Sequence, residues 1–288
     1  MSEKGHSTPD TAGLIWAGVP LADAARVLVI VPGALTPLRV FDPLTDPVSS
    51  DTALLLLAFP GLDGRPLDRP VRVRETARHV ARILNGAPHV SRIDLVGLSA
   101  GAAICLEIRG RLTCPRVTLA AISAPAPCPR VLFGVMRMGA DLIAILRENM
   151  GASWTVIWHH LFLVLLFGRG APPATLPKDD SGRPVGPSIT PTPKLLLYHG
   201  AGTALWRPSS AALRARSPVC FFHGARDTVS PANAIARLAR RLNAAEVQLY
   251  QDRGHLPHVL NPVLFTDIRR FWRAQKRHWA IEAGEKES

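Results

Sequence analysis

The pentapeptide Gly97-Leu98-Ser99-Ala100-Gly101 constrains this chain more than any other feature. It follows an apolar run, Ile93-Asp94-Leu95-Val96, and opens a stretch of small residues, Ala102-Ala103-Ile104-Cys105-Leu106. That order predicts a strand, a sharp turn and a helix, the context in which G-x-S-x-G marks a nucleophilic serine. So tight a turn strains the serine backbone, and its neighbours must lack bulky side chains; Gly97 and Gly101 meet that need. The hydroxyl then stands above the end of a sheet, at a helix N-terminus that favours developing negative charge.

A serine hydroxyl is a weak nucleophile at neutral pH. It needs a histidine base, and the base needs an acid to set its tautomer and stabilise its charge. Downstream, Val219-Cys220-Phe221-Phe222 reads as a buried strand running into His223-Gly224-Ala225-Arg226-Asp227. A helical pattern over 232–243 and a strand over 246–250 follow. Gln251-Asp252-Arg253-Gly254-His255 then sets a histidine on a glycine-containing loop. Asp227 and His255 both fall beyond the carboxyl ends of strands, where open parallel sheets bind ligands. His223 reads as structural, His258 as the start of the next helix, and Asp252 as too near His255 in sequence to reach its ring. The strand at 117–122 is followed by Ser123-Ala124-Pro125, with no carboxylate, which strengthens Asp227 as the acid.

Charge developing on a carbonyl oxygen needs donors of its own. The backbone N–H of Ala100, just after the serine, is one candidate. Residues 27–31 form a β-branched run suited to a strand buried on both faces. The run ends in Pro32-Gly33-Ala34-Leu35, where Ala34 offers a second N–H.

With these motifs in order, the chain resembles the α/β-hydrolase superfamily, and most of all its capped serine esterases, a group including carrier-protein methyl ester esterases, lactonases and C–C bond hydrolases. The resemblance covers about 27–122 and 217–272. Its markers are the Pro32-Gly33 loop, Phe59-Pro60-Gly61, the Ser99 elbow, the Gly224-x-x-Asp227 segment, and Gly254-His255-Leu256-Pro257-His258 through Pro262 and Phe265. It implies a mostly parallel, doubly wound α/β sheet with an inserted helical cap. It also implies Ser99 as nucleophile, Asp227 as acid and His255 as base, with no metal and no organic cofactor. Leu35, Leu98, Trp158 and Phe162 are the expected substrate contacts. Two positions depart from the usual pattern. Pro32 stands where many relatives carry histidine, and proline cannot make that side chain's loop-bracing hydrogen bonds; the loop must be held another way. The run 57–61 lacks the acidic residue often found there.

At 288 residues the chain suits one α/β domain with an insertion. The expected division is a core of 24–127 and 217–288, a helical cap over 128–216, and an N-terminal extension over 1–23. A helix is expected over 76–84. Within the cap, 131–146 and 154–167 read as apolar helices, 170–194 as a Pro/Gly-rich loop, and 195–198 as helical. The stretch 154–167 is shorter than the roughly 18–20 apolar residues that span a bilayer and carries His159 and His160. No spanning segment is therefore expected, although peripheral contact with a membrane stays open.

The net charge is +12. Arg237, Arg240 and Arg241, and Arg269, Arg270, Arg273, Lys276 and Arg277, sit on two expected helices; such surfaces attract acidic partners, an acyl carrier protein among them. A solvated helix face is the plainer account, and no nucleic-acid module accompanies the charge. The polar first residues lack a signal-peptide core, and Cys105, Cys114, Cys128 and Cys220 show neither metal nor disulfide spacing. Together these suit free thiols in the cytoplasm. The expected activity is cleavage of an ester or thioester of a small molecule with a hydrophobic acyl or aromatic part. Acyl transfer, C–C bond hydrolysis and a non-catalytic binding role are the alternatives.

Overall fold

The computed structural model describes residues 12–46, 49–169, 178, 182, 185–242, 245–282 and 284. In chain order the elements are β1 (Leu14–Gly18), β2 (Arg26–Val31), α1 (Asp42–Thr45), β3 (Thr52–Leu57), α2 (Val73–Asn85), β4 (Arg92–Leu98), α3 (Ala100–Arg109) and β5 (Arg116–Ile122). Four helices follow: α4 (Arg130–Glu148), α5 (Trp154–Phe167), α6 (Pro193–Ala204) and α7 (Ser210–Arg214). The chain then closes with β6 (Val219–Gly224), α8 (Ala232–Ala239), β7 (Ala245–Tyr250) and α9 (Pro262–Glu282).

The strands form one sheet in the order β1-β3-β2-β4-β5-β6-β7. All neighbours are parallel except β1, which pairs antiparallel with β3. From β2 the chain first winds outward to β3 and then returns past β2 to β4. The winding direction therefore switches between β2 and β4, which is where doubly wound sheets open a crevice at their carboxyl edge. The register puts Val31 opposite Gly97 and Leu98 opposite Ile122, so three strands end level there.

Side chains alternate across the sheet with the period of a strand. Val27, Val29 and Val31 face a layer with Val80 and Leu84 of α2 and Ile104 and Ile108 of α3. Leu28 and Ile30 face Phe41 and the α9 residues Leu264, Ile268 and Phe271. Burial on both faces explains why β3 and β6 read as unbroken apolar runs.

Three expectations need correction. The sheet does not begin near residue 27: Leu14 and Ile15, inside the expected extension, are buried in β1. An edge strand of five residues is too short to show a pattern against flanks as apolar as Ala12 and Val19-Pro20-Leu21-Ala22. The helix expected over 232–243 ends at Ala239; Asn243 lies outside the described residues. His258 does not start a helix, since α9 begins at Pro262. The helices expected over 76–84, 131–146, 154–167 and 195–198 lie within α2, α4, α5 and α6. Most of the loop expected over 170–194 lies outside the described residues. No helix among the described residues is long and apolar enough to cross a membrane.

The segment between β5 and β6 is tied to the core at α3. Arg109, 2% exposed, donates from Nε to Ser217 O at 2.8 Å, from Nη1 to Ala212 O at 3.2 Å and from Nη2 to Ala215 O at 2.7 Å. Glu107 accepts from the Ser209 N–H at 2.8 Å and pairs with Arg111. An Arg109→Met variant strands three carbonyls, at about 1–3 kcal/mol for each that stays buried and unpaired. Urea unfolding of that variant should show a loss of about 3 kcal/mol or more; a loss below about 1 kcal/mol would mean that water or side chains readily replace the guanidinium.

Candidate active site

Ser99 sits between β4 and α3 with φ 47° and ψ −112°, a left-handed conformation for a residue with a side chain. Its N–H donates to Ile122 O at 2.8 Å, which pins the turn to the end of β5. The glycines are there for close approach. A Cβ on Gly101 would stand 2.1 Å from Val31 O, and one on Gly97 would stand 2.5 Å from Gly101 O. With nothing larger permitted, α3 starts directly against the end of β2 and the serine hydroxyl projects above the sheet.

Asp227 follows β6 and His255 follows β7. Both are buried, and the sheet brings them to Ser99. His255 Nδ1 lies 2.7 Å from Asp227 Oδ2, and His255 Nε2 lies 3.0 Å from Ser99 Oγ. With Nδ1–H donating to the carboxylate, Nε2 is left as the acceptor for the serine proton. The other oxygen of Asp227 accepts from the N–H groups of Val229 and Ser230, each at 2.8 Å. His223 also approaches the carboxylate at 3.4 Å, while its Nε2–H donates to Ser230 O at 2.7 Å. Burial by itself raises the pKa of Asp227, but the charge and hydrogen bond of His255, with His223 and the Ser230 N–H, outweigh it and hold the carboxyl below its ordinary value. The expected structural role for His223 thus takes a specific form: it braces the turn that carries Asp227.

The N–H groups of Ala34 and Ala100 have no acceptor among the described residues. Ala100 opens α3, so its N–H points out of the helix start, and Ala34 lies on the loop after β2. Both stand at the switch point beside Ser99.

The expected substrate contacts divide. Trp158 and Leu35 share an apolar cluster with Leu161 and Ile145. Phe162 packs with Leu166 and with Leu256, the residue after His255. Helix α5 therefore spans from the loop after β2 to the loop that carries His255. Its last carbonyls hold that second loop, accepting from Gly254 N–H at 2.7 Å (Leu166 O) and Leu256 N–H at 3.3 Å (Leu165 O). Leu98 departs from expectation. It is 1% exposed, packs with Ile30, Ile122 and Phe222, and lies beneath Gly33, because its strand position turns the side chain into the core.

Sequence reasoning missed His199, on α6, whose imidazole reaches the loop after β2. The signal available was Pro32 itself, which left that loop without a side-chain brace.

One basic cleft lies at the other end of the sheet. Arg26, Arg92 and Arg116 begin β2, β4 and β5, and with Arg269, Arg273 and Lys276 they line a cleft of about 670 Å³. Asp94 lies buried under this group, paired with Arg26 and Arg92 at 2.7 and 2.9 Å. Trp272 and Trp279 lie under the guanidinium groups of Arg26 and Arg92.

Sheet order, elbow and switch-point site define a doubly wound α/β enzyme of the hydrolase class. A model of the alpha/beta hydrolase family matches residues 28–268, and the chain belongs to that family. No sequence among curated proteins matches it. Solved structures with a similar fold include a lipase-esterase related protein from Clostridium acetobutylicum at 17% identity, TM-score 0.61, covering 90% of this chain and all of that one. A thermophilic esterase from Thermogutta terrifontis aligns at 18% identity and TM-score 0.59, over 94% of this chain and 97% of its own. MenH from S. aureus aligns at 16% identity and TM-score 0.61, over 92% of this chain and 100% of its own.

The buried imidazoles near Asp227 make a pH prediction. Burial, reinforced by the charge of His255, pushes His258 down to about 3, and burial also lowers His223. Below the ordinary value of 6.5 the unfolded chain binds protons that the folded one refuses. Stability should therefore fall as pH drops from about 6.5 towards 3, by about 1.4 kcal/mol per pH unit from His258, with His223 adding to the fall below 6.5. Urea melts between pH 6 and pH 4 should be shallower in their pH dependence for His258→Gln by about one proton; an unchanged slope would show that His258 is protonated in the folded protein.

Proposed function

We propose that the protein is a serine hydrolase that cleaves a carboxylic ester or thioester of a small molecule through an acyl-enzyme. The observation carrying this reading is the unbroken run from Ser99 Oγ through His255 to Asp227, at 3.0 and 2.7 Å, beside two N–H groups with no acceptor among the described residues.

Ser99 Oγ attacks the carbonyl carbon as its proton passes to His255 Nε2. The negative oxygen of the tetrahedral intermediate is held by the Ala34 and Ala100 N–H groups, and the start of α3 adds its dipole. Asp227 stabilises the imidazolium, which returns the proton to the leaving alcohol or thiol as the carbon–oxygen or carbon–sulfur bond breaks. A water then gives its proton to His255 and attacks the acyl carbon. The second tetrahedral intermediate collapses to the free acid, and the proton returns to Ser99.

The helices between β5 and β6 act as a cap, and their apolar face supports a hydrophobic acyl or aromatic group. Trp158, Leu35 and Phe162 are the contacts we assign to it. The substrate we assign is a small molecule; the basic cleft at the amino ends of β2, β4 and β5 lies at the opposite edge of the sheet from Ser99 and takes no part in binding it.

A fluorophosphonate probe should label wild-type protein at Ser99 alone, and Ser99→Ala should not react. Turnover of p-nitrophenyl esters should fall by about 10⁴-fold or more in Ser99→Ala, the order seen when a triad member is lost. A folded wild type that takes no label would overturn the reading, and a non-catalytic role would replace it.

A further inference from the structure

The loop after β2 must hold its backbone N–H groups still, yet Pro32, Gly33, Ala34 and Leu35 bring no polar side chain to do so. Its internal bonds are few: Thr36 N–H donates to Gly33 O at 3.3 Å, and Thr36 Oγ1 donates to Ala34 O at 3.2 Å. Leu35 is also in the left-handed region, with φ 60°. A non-glycine residue stays there only when its surroundings hold it.

What meets it is His199. The Leu35 N–H donates to His199 Nδ1 at 3.0 Å, and His199 Nε2–H donates to Pro60 O at 2.7 Å. The ring has no exposed surface and stands edge-on to Phe59 at 5.5 Å. One imidazole thus joins the loop after β2 to the loop after β3, and it comes from α6, far along the chain.

We propose that His199 is a positioning residue: it holds Leu35 in its left-handed conformation and so aims the neighbouring Ala34 N–H at the oxygen of the substrate carbonyl. The inference rests on the ester-hydrolase reading. It also gives α6 a part in the chemistry, since the helix that closes over the site carries the strut for its oxyanion loop. Only the neutral ring can serve. Nδ1 must present a lone pair to Leu35 while Nε2 keeps its proton for Pro60. Burial lowers the pKa of His199, helped by Arg65, whose guanidinium donates to Ala58 O at 2.7 Å and is the charged group whose field reaches the ring. A proton on Nδ1 would set one donor against another and free the loop.

The test compares wild type, His199→Phe and His199→Gln on a short p-nitrophenyl ester from pH 5 to pH 9, with fluorophosphonate labelling of Ser99 alongside. Loss of one aimed oxyanion donor costs about 10²–10³ in kcat. His199→Phe should lose kcat by at least about tenfold with little change in KM, and His199→Gln, which can still accept and donate, should recover part of it. The gap between wild type and His199→Phe should hold through the neutral range, where the buried ring stays neutral, and narrow only below the ordinary histidine value, where protonation of His199 removes the same brace from the wild type. If His199→Phe does not fold, His199→Gln carries the comparison, with a smaller kcat loss that narrows in the same direction. Wild-type kcat in a folded variant, or a change confined to KM, would each overturn the role of His199 while leaving Ser99 labelled. An unlabelled Ser99 in the wild type would instead overturn the ester-hydrolase reading and this inference with it.

Discussion

The start of α3 lies so close to the end of β2 that Gly101 could not carry a Cβ: it would stand 2.1 Å from Val31 O. That contact sets much of the site's geometry. It requires the chain to turn sharply after Leu98, and the turn puts Ser99 in the left-handed region with its side chain above the sheet. It also brings the start of α3 against the loop after β2, since a Cβ on Gly101 would also stand 2.5 Å from Pro32 O. The level register of β2 and β4, Val31 opposite Gly97, keeps both at one height. Any larger residue at position 101 would push helix and strand apart and separate Ser99 from the loop after β2.

Around this contact the segment between β5 and β6 works as more than a cover. The last turn of α5 holds the backbone of the His255 loop through Leu165 O and Leu166 O. Helix α6 holds the opposite loop through His199. The farther end of the segment is clamped to α3 by Arg109. These ties run from three helices to three parts of the core, so motion of the segment would be felt at the groups that hold charge and move protons. The apolar residues between the ties, Trp158 and Phe162 among them, exclude water there, which strengthens each hydrogen bond of the site.

Much of the site was legible because its parts are local. The elbow shows in five consecutive residues, and Asp227 and His255 each follow a strand at a loop that an alternating α/β pattern identifies. What was missed depends on neighbours far along the chain. The strand β1 gains its place only by pairing with β3, and nothing in residues 14–18 shows that partner. Leu98 was expected at the substrate, but as the last residue of β4 it faces the same side as Val96, and the sheet turns both into the core. His199 sits on an apolar helix with no motif around it, and its meaning comes from Leu35 and Pro60, 164 and 139 positions away.

The amino-acid sequence by itself determined the tight serine turn and the loops that carry Asp227 and His255, because a glycine-flanked turn and an apolar run that ends in a polar loop are local patterns; the doubly wound sheet came with the family resemblance those patterns carry. Tertiary structure alone decided how the loop after β2 is held, where the basic cleft at the amino ends of the strands lies relative to Ser99, and which side chains near the serine face away from it. Those outcomes depend on which distant backbone groups come within hydrogen-bond reach when the strands take their order, and no local pattern in the chain records that.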